Sequence, residues 1–95
     1  MSQKPTKMKT SNDVIYTVLD GDAVLMHLKS GVYYGLNPVG ACVWRKLEKP
    51  VSRDEICFHI VETFDVELST CREDIEVLLM ELEEAGLVET VEAHF

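Results

Sequence analysis

The chain has 95 residues and a formal net charge of -8. That is one domain's worth of chain, enough for one core but not for a separate active-site domain. A hydrophobic share of 46% and a charged share of 27% are those of a globular protein, and no apolar run reaches the roughly 18 to 20 residues that span a membrane.

Met1 to Asp13 is rich in Lys, Thr and Ser without periodicity. It is expected to be a flexible tail, residues 1–13, ahead of a domain over 14–92. It has no apolar signal core, so a cytosolic location is expected. "VIYTVLD" from Val14 reads as a strand of β-branched and aromatic residues. Asp20-Gly21 marks a hairpin turn, and "AVLMHL" is the second strand. "KSG" with Gly31 is the next turn, and "VYYGL", Val32 to Leu36, is the third strand. Tight turns between consecutive strands give an antiparallel meander.

Asn37-Pro38 then opens a helix over about Pro38 to Glu48, with Asn as N-cap and Pro at the first position; Pro50 ends it. Ser52 with Glu55 is a capping box, and Val51 with Ile56 a hydrophobic staple, for the second helix. "DVEL" is expected to be a loop. Thr70 with Glu73 is a second capping box opening the third helix, and Gly86 is its C′ residue. "LVETVE" suggests a short last strand. The fold class is therefore α+β: a three-stranded antiparallel meander followed by three helices, in the general build of a winged helix-turn-helix.

Function classes narrow quickly. Neither a dinucleotide fingerprint nor a phosphate loop, zinc-protease motif or nucleophile elbow is present. His59 lies two residues from Cys57, which on a helix separates them onto different faces. Cys42, Cys57 and Cys71 lack zinc-site spacing and read as small buried hydrophobes. No catalytic residue, metal or cofactor is expected, and the chain is read as a non-enzyme. Residues 1–53 hold eight Lys/Arg and four Asp/Glu, a balance of +4; residues 54–95 hold one Arg and thirteen Asp/Glu, a balance of -12. The acidic third helix, with Arg72 as its one cation, would repel a phosphate backbone.

That helix has more apolar surface than one core face needs. Cys71, Ile75, Leu78, Leu82 and Ala85 fall on one stripe at 100° per residue, Leu79 sits about 80° to the side, and Val77 and Met80 lie well outside it. The third strand, meanwhile, is a sheet edge with no charge and no proline to protect it. Such an edge is either covered or used, and use means addition of a peptide strand. Tyr33 and Tyr34 point to opposite faces, one toward the core and one outward; Gly35 leaves room for close approach.

Residues 20–89 resemble the PqqD-like family, the peptide-recognition domains of ribosomal peptide natural-product pathways. The resemblance is carried by Tyr33-Tyr34-Gly35-Leu36-Asn37, Gly40, Trp44, Ser52, Glu55-Ile56 and Phe64-Asp65-Val66. It continues through Asp74-Ile75, Leu78-Leu79, Leu82 and Gly86-Leu87-Val88. The tyrosine-glycine-leucine-asparagine form is closest to the stand-alone lasso-peptide members. The resemblance implies an adaptor that binds the leader of a precursor peptide and presents it to a leader-removing cysteine protease and an ATP-dependent cyclase. It also implies the groove: Val32, Tyr33, Tyr34, Gly35 and Leu36 on one side, and Arg72, Ile75, Leu78, Leu79 and Leu82 on the other. Asp74 would hold a polar or cationic leader group. Asn37, Gly40 and Trp44 are expected to be cap, close packing and core. Three alternatives remain open: a winged-helix transcriptional regulator, a domain that oligomerises through its edge strand, and an adaptor for a radical enzyme in quinone cofactor synthesis.

Overall fold

The computed structural model describes residues 7–91. It is an α+β fold with two antiparallel three-stranded sheets and three helices. The chain order is β1 (Lys7–Thr10), β2 (Val14–Leu19), β3 (Asp22–His27), β4 (Tyr33–Leu36), α1 (Pro38–Lys46), β5 (Val51–Ser52), α2 (Arg53–Phe64), α3 (Leu68–Glu84) and β6 (Val88–Val91).

The meander is β2-β3-β4. Its first turn has Asp20 at φ 52° and Gly21 at φ 89°, the two positive values that a type I′ hairpin requires. The register fixes both faces. Leu25 pairs with Tyr34 and Ala23 with Leu36, while Met26 pairs with Tyr33 and Val24 with Gly35. Leu25, Ala23 and Leu36 are buried, so Tyr34 shares the inner face. Tyr33 faces outward and is 69% exposed. The question of which tyrosine takes which face is thereby answered.

The second sheet departs from the sequence expectation. Lys7–Thr10, assigned above to the flexible tail, is its central strand, in the order β5-β1-β6. Residues 1–6 lie outside the described residues. A run of Lys and Thr with one apolar residue gives little strand signal. What holds it is pairing on both edges: Met8 lies opposite Val51 on one side and Thr90 on the other. Lys9 and Glu89, directly opposite, are 3.6 Å apart. The amides of Thr10 and Ser11 donate to the carbonyls of Leu47 and Leu87, at 2.9 Å each. Thus the expected last strand exists, but it pairs with β1 and leaves the outer edge of β4 without a strand among the described residues.

The helix signals show how local chemistry sets boundaries. Asn37 Oδ1 accepts the Gly40 amide at 2.8 Å, and Pro38 opens α1; the helix stops at Lys46, two residues before the expected end. Ser52 and Glu55 form the reciprocal capping box of α2. Glu55's carboxyl is held below the usual carboxylate range, chiefly by the backbone N–H of Ser52. α3 starts earlier than expected. Asp65 ends α2 in the left-handed region, and Glu67 rather than Thr70 is the N-cap residue, without a side-chain cap bond. The Thr70 capping box therefore does not form, because the chain has already entered the helix there. At the other end Gly86, φ 76°, is the C′ residue. Its amide donates to Glu83, and the Leu87 amide donates to Leu82, at 3.0 and 2.9 Å, which is a Schellman motif. Leu82 and Leu87 are both fully buried beside it.

The core joins all these elements through Leu25, Val43, Trp44, Leu47, Ile56, Ile60, Leu82 and Leu87. Trp44 packs edge-to-face on Tyr16, centroids 6.2 Å apart. Gly40 is close packed: a Cβ there would lie 3.1 Å from the Leu36 side chain.

Two stability outcomes follow from these positions. Met8→Ala is expected to lower the free energy of unfolding by about 2 kcal/mol, measured by urea denaturation, where a flexible tail would show no change. Tyr34→Ala, on the inner face, should cost about 1–2 kcal/mol, while Tyr33→Ala should stay within about 0.5 kcal/mol of the parent.

Candidate functional site

A cavity of about 410 Å³ lies along the free edge of β4. Tyr34, Gly35 and Leu36 form one wall, with Asn37, Val39 and Gly40 continuing it into α1. Thr70, Cys71, Asp74, Ile75 and Leu78 of α3 form the other. Ile60 and Val66 complete the lining.

The sheet wall comes from strand geometry. Among the described residues β4 pairs with β3 on one edge only, so its other edge offers unpaired backbone donors and acceptors over the cavity. Gly35 belongs to the outer face with Tyr33, where a Cβ would meet no atom within 4 Å. Val32 is not part of this edge. It precedes the strand in the β3–β4 connection, where its carbonyl accepts the His27 amide at 2.9 Å.

The helical wall comes from α3 having two flanks. The β5-β1-β6 sheet covers one: Met8, Leu79 and Thr90 meet there, and Thr90 Oγ1 donates to Glu83 Oε2 at 2.9 Å. Leu79 and Leu82 are consequently core, 2% and 0% exposed. The opposite flank is left open, and on it Thr70, Asp74 and Leu78 recur at four-residue spacing, with Leu78 half-buried. Ile75 is buried at the cavity floor.

Of the residues that the resemblance implied, the cavity brings together Tyr34, Gly35, Leu36, Asp74, Ile75 and Leu78. It does not include Val32, Tyr33, Arg72, Leu79 or Leu82. Arg72 turns toward α2, with its Nη2 3.9 Å from Asp54 Oδ1. Seven lining residues were not anticipated as groove: Asn37 and Gly40, expected to be cap and close packing, and Val39, Ile60, Val66, Thr70 and Cys71. The Thr70, Asp74, Leu78 spacing was a usable signal. The periodicity could not say which flank of the helix would be covered.

Electrostatically the site is apolar with an acidic side. Asp74 is its one charged lining residue, and no Lys or Arg lines it among the described residues. Tyr34 Oη donates to Glu81 Oε1 at 2.9 Å. Burial first, then that hydrogen bond and the Glu81 charge, raise the Tyr34 phenol above its ordinary 10.0. Cys71 is packing: its Sγ lies 3.9 Å from the Cys57 carbonyl. Burial, then the neighbouring Cys71, pushes the Cys57 thiol up to about 11, which keeps it protonated and unreactive near neutrality. Among the described residues no group of three or more His, Cys, Asp or Glu side chains is arranged to hold a metal ion. None of the described helices is long and apolar enough to cross a membrane.

Comparison with known proteins places the fold. The family model described as Coenzyme PQQ synthesis protein D (PqqD) matches residues 22–88. The fold is similar to the structure described as TbiB1 in complex with the TbiA(beta) leader peptide. There the TM-score is 0.79 at 32% sequence identity, covering 90% of this chain and 99% of that one. A lasso peptide synthetase B1 complexed with its leader peptide aligns with a TM-score of 0.74 at 23% identity, covering 86% and 96%, a likeness of fold. No curated protein matches at a significant level. With more than half of its length matched by the family model, the chain belongs to the PqqD family.

Proposed function

We propose that this chain binds the leader segment of a ribosomally made precursor peptide by strand addition to β4 and presents it to processing enzymes, a leader-removing cysteine protease and a cyclase, in lasso-peptide-type biosynthesis. The observation that carries the reading is the free edge of β4 lying directly over an apolar cavity. An extended peptide there would take backbone hydrogen bonds from the edge and place one of its inward side chains in the cavity. The TbiB1 structure, a leader-peptide complex at 32% identity over nearly the whole of both chains, supports the same assignment.

Each part of the site then has a role. The edge from Tyr34 to Leu36 supplies sequence-independent affinity. Leu36, Val39, Ile60, Ile75 and Leu78 select an apolar leader residue. Asp74 favours a leader with a nearby cation, and the wider acidic surface of α2 and α3 speeds its approach. The domain holds and delivers the peptide while chemistry occurs on the partners.

A second reading, delivery of a precursor to a radical enzyme of quinone cofactor synthesis, is favoured by the family description alone. It uses the same groove and differs in the peptide. A transcriptional regulator is disfavoured, because α3 is acidic and its outer surface offers few donors to base edges.

The test is fluorescence anisotropy with the labelled leader of the cognate precursor peptide. Saturable binding is expected, with a dissociation constant on the order of micromolar, about -8 kcal/mol. A quinone-precursor peptide should bind at least about tenfold more weakly, a gap of about 1.4 kcal/mol. Binding should depend only shallowly on salt, unlike a duplex-DNA complex. Leu78→Ala should weaken binding about tenfold, roughly the 1.5 kcal/mol of a partly buried leucine contact. Met80→Ala, on the opposite exposed face, should leave it unchanged. No saturable binding at tens of micromolar would end the leader assignment, and an effect of Met80 equal to that of Leu78 would move the peptide out of the cavity.

A further inference from the structure

The pleat of a strand controls only half of the registration problem. A peptide added to β4 that slips by one residue turns its inward side chains outward, and the apolar cavity rejects that slip. A slip of two residues keeps every side chain on its face and moves the peptide by about 7 Å. Rejecting it requires a wall across the groove.

The structure has one such wall. Tyr34 is on the inner face of β4 and lines the cavity beside Leu78. Leu78 is the last α3 residue in the lining, and Glu81, one turn further on the same flank, takes the Tyr34 hydroxyl at 2.9 Å. This is the one side-chain hydrogen bond between β4 and α3 among the described residues. It spans the groove where the lining ends, and it fixes the polar tip of a ring whose body packs against the core. Asp74 marks the opposite, α1-facing part of the cavity, where Asn37, Val39 and Thr70 also lie.

We infer that Tyr34 and Glu81 form an end stop that sets the register of the bound peptide strand, with Tyr34 touching the peptide and Glu81 acting through Tyr34 as a positioning residue. This rests on the leader-binding reading. The stop would exclude the slip toward the C-terminal end of α3, so that a single leader residue reaches the cavity. The raised ionisation of Tyr34 accords with a phenol that stays a donor through neutral pH.

The experiment uses the same labelled leader with Tyr34→Phe, Glu81→Ala and Glu81→Gln. Tyr34→Phe and Glu81→Ala should each weaken binding roughly threefold to tenfold, the worth of one hydrogen bond. Their combination should be no weaker than the weaker single change, because both remove the same bond. Glu81→Gln still offers an acceptor and should retain most of the affinity. Register is read separately, by fluorine NMR with a probe placed in turn at alternate leader positions. The parent should show a bound-state shift at one position, and Tyr34→Phe and Glu81→Ala should divide it between two. A single unchanged position in both variants would overturn the end stop while leaving the groove intact. Tighter binding in either variant would overturn it as well, since the pair would then be a lid. If the parent binds no leader, the groove reading fails and the end stop with it.

Discussion

The β5-β1-β6 sheet covers one flank of α3, and the rest of the site depends on that choice. The helix carries an apolar arc of about 100°, from Leu78 through Leu82 and Ile75 to Leu79, wider than one packed sheet covers. Once β1 is held between β5 and β6, Leu79 is drawn into the core and the Leu78 flank is left facing β4. The same pairing takes the terminal strand β6 to β1, so it is not available to close the meander. One interaction thus produces both walls of the groove: an uncovered helix flank and an unpaired strand edge.

Neither wall is a stable feature in isolation. An unprotected edge of Tyr, Gly and Leu invites association, and natural sheets seldom leave one without a charge or a bulge. Here the edge is inset. α1 begins immediately after β4, anchored by the Asn37 cap and by Gly40 packed on Leu36, and α3 stands across the cavity. The rigidity comes from the helix ends: the capping box of α2 and the Schellman turn of α3 hold the two helices that frame the cavity floor.

The tyrosine pair shows how one strand serves two ends. Tyr34 stands in a row with Tyr16 and Leu25 across the inner face, and its hydroxyl reaches α3. Tyr33 stands with Ile15 and Met26 on the outer face, where Ile15 is 51% exposed. An inner aromatic with a polar tip packs against the core and still offers a hydrogen bond at the groove, which a phenylalanine would not.

Local signals in the sequence determined much of this protein. Asp20-Gly21, Asn37-Pro38, Ser52 with Glu55, and Gly86 are each sufficient to place a turn or cap, because their chemistry acts within four residues. The alternation through Tyr33 and Tyr34 guaranteed that the two rings would part. What the local sequence left open was decided by contacts across tens of residues. Lys7–Thr10 has no strand signal of its own and is a strand only because Val51 and Val88 arrive on either side. Whether Leu78 or Leu79 faces the peptide groove depends on where that strand lies, since a helical wheel gives angles between residues but not the direction of the core. Arg72 and Asp74, two residues apart, are parted for the same reason, one toward α2 and one into the cavity. Short-range hydrogen-bond chemistry is written residue by residue; the side of a helix that water reaches is set only when every other element has been packed.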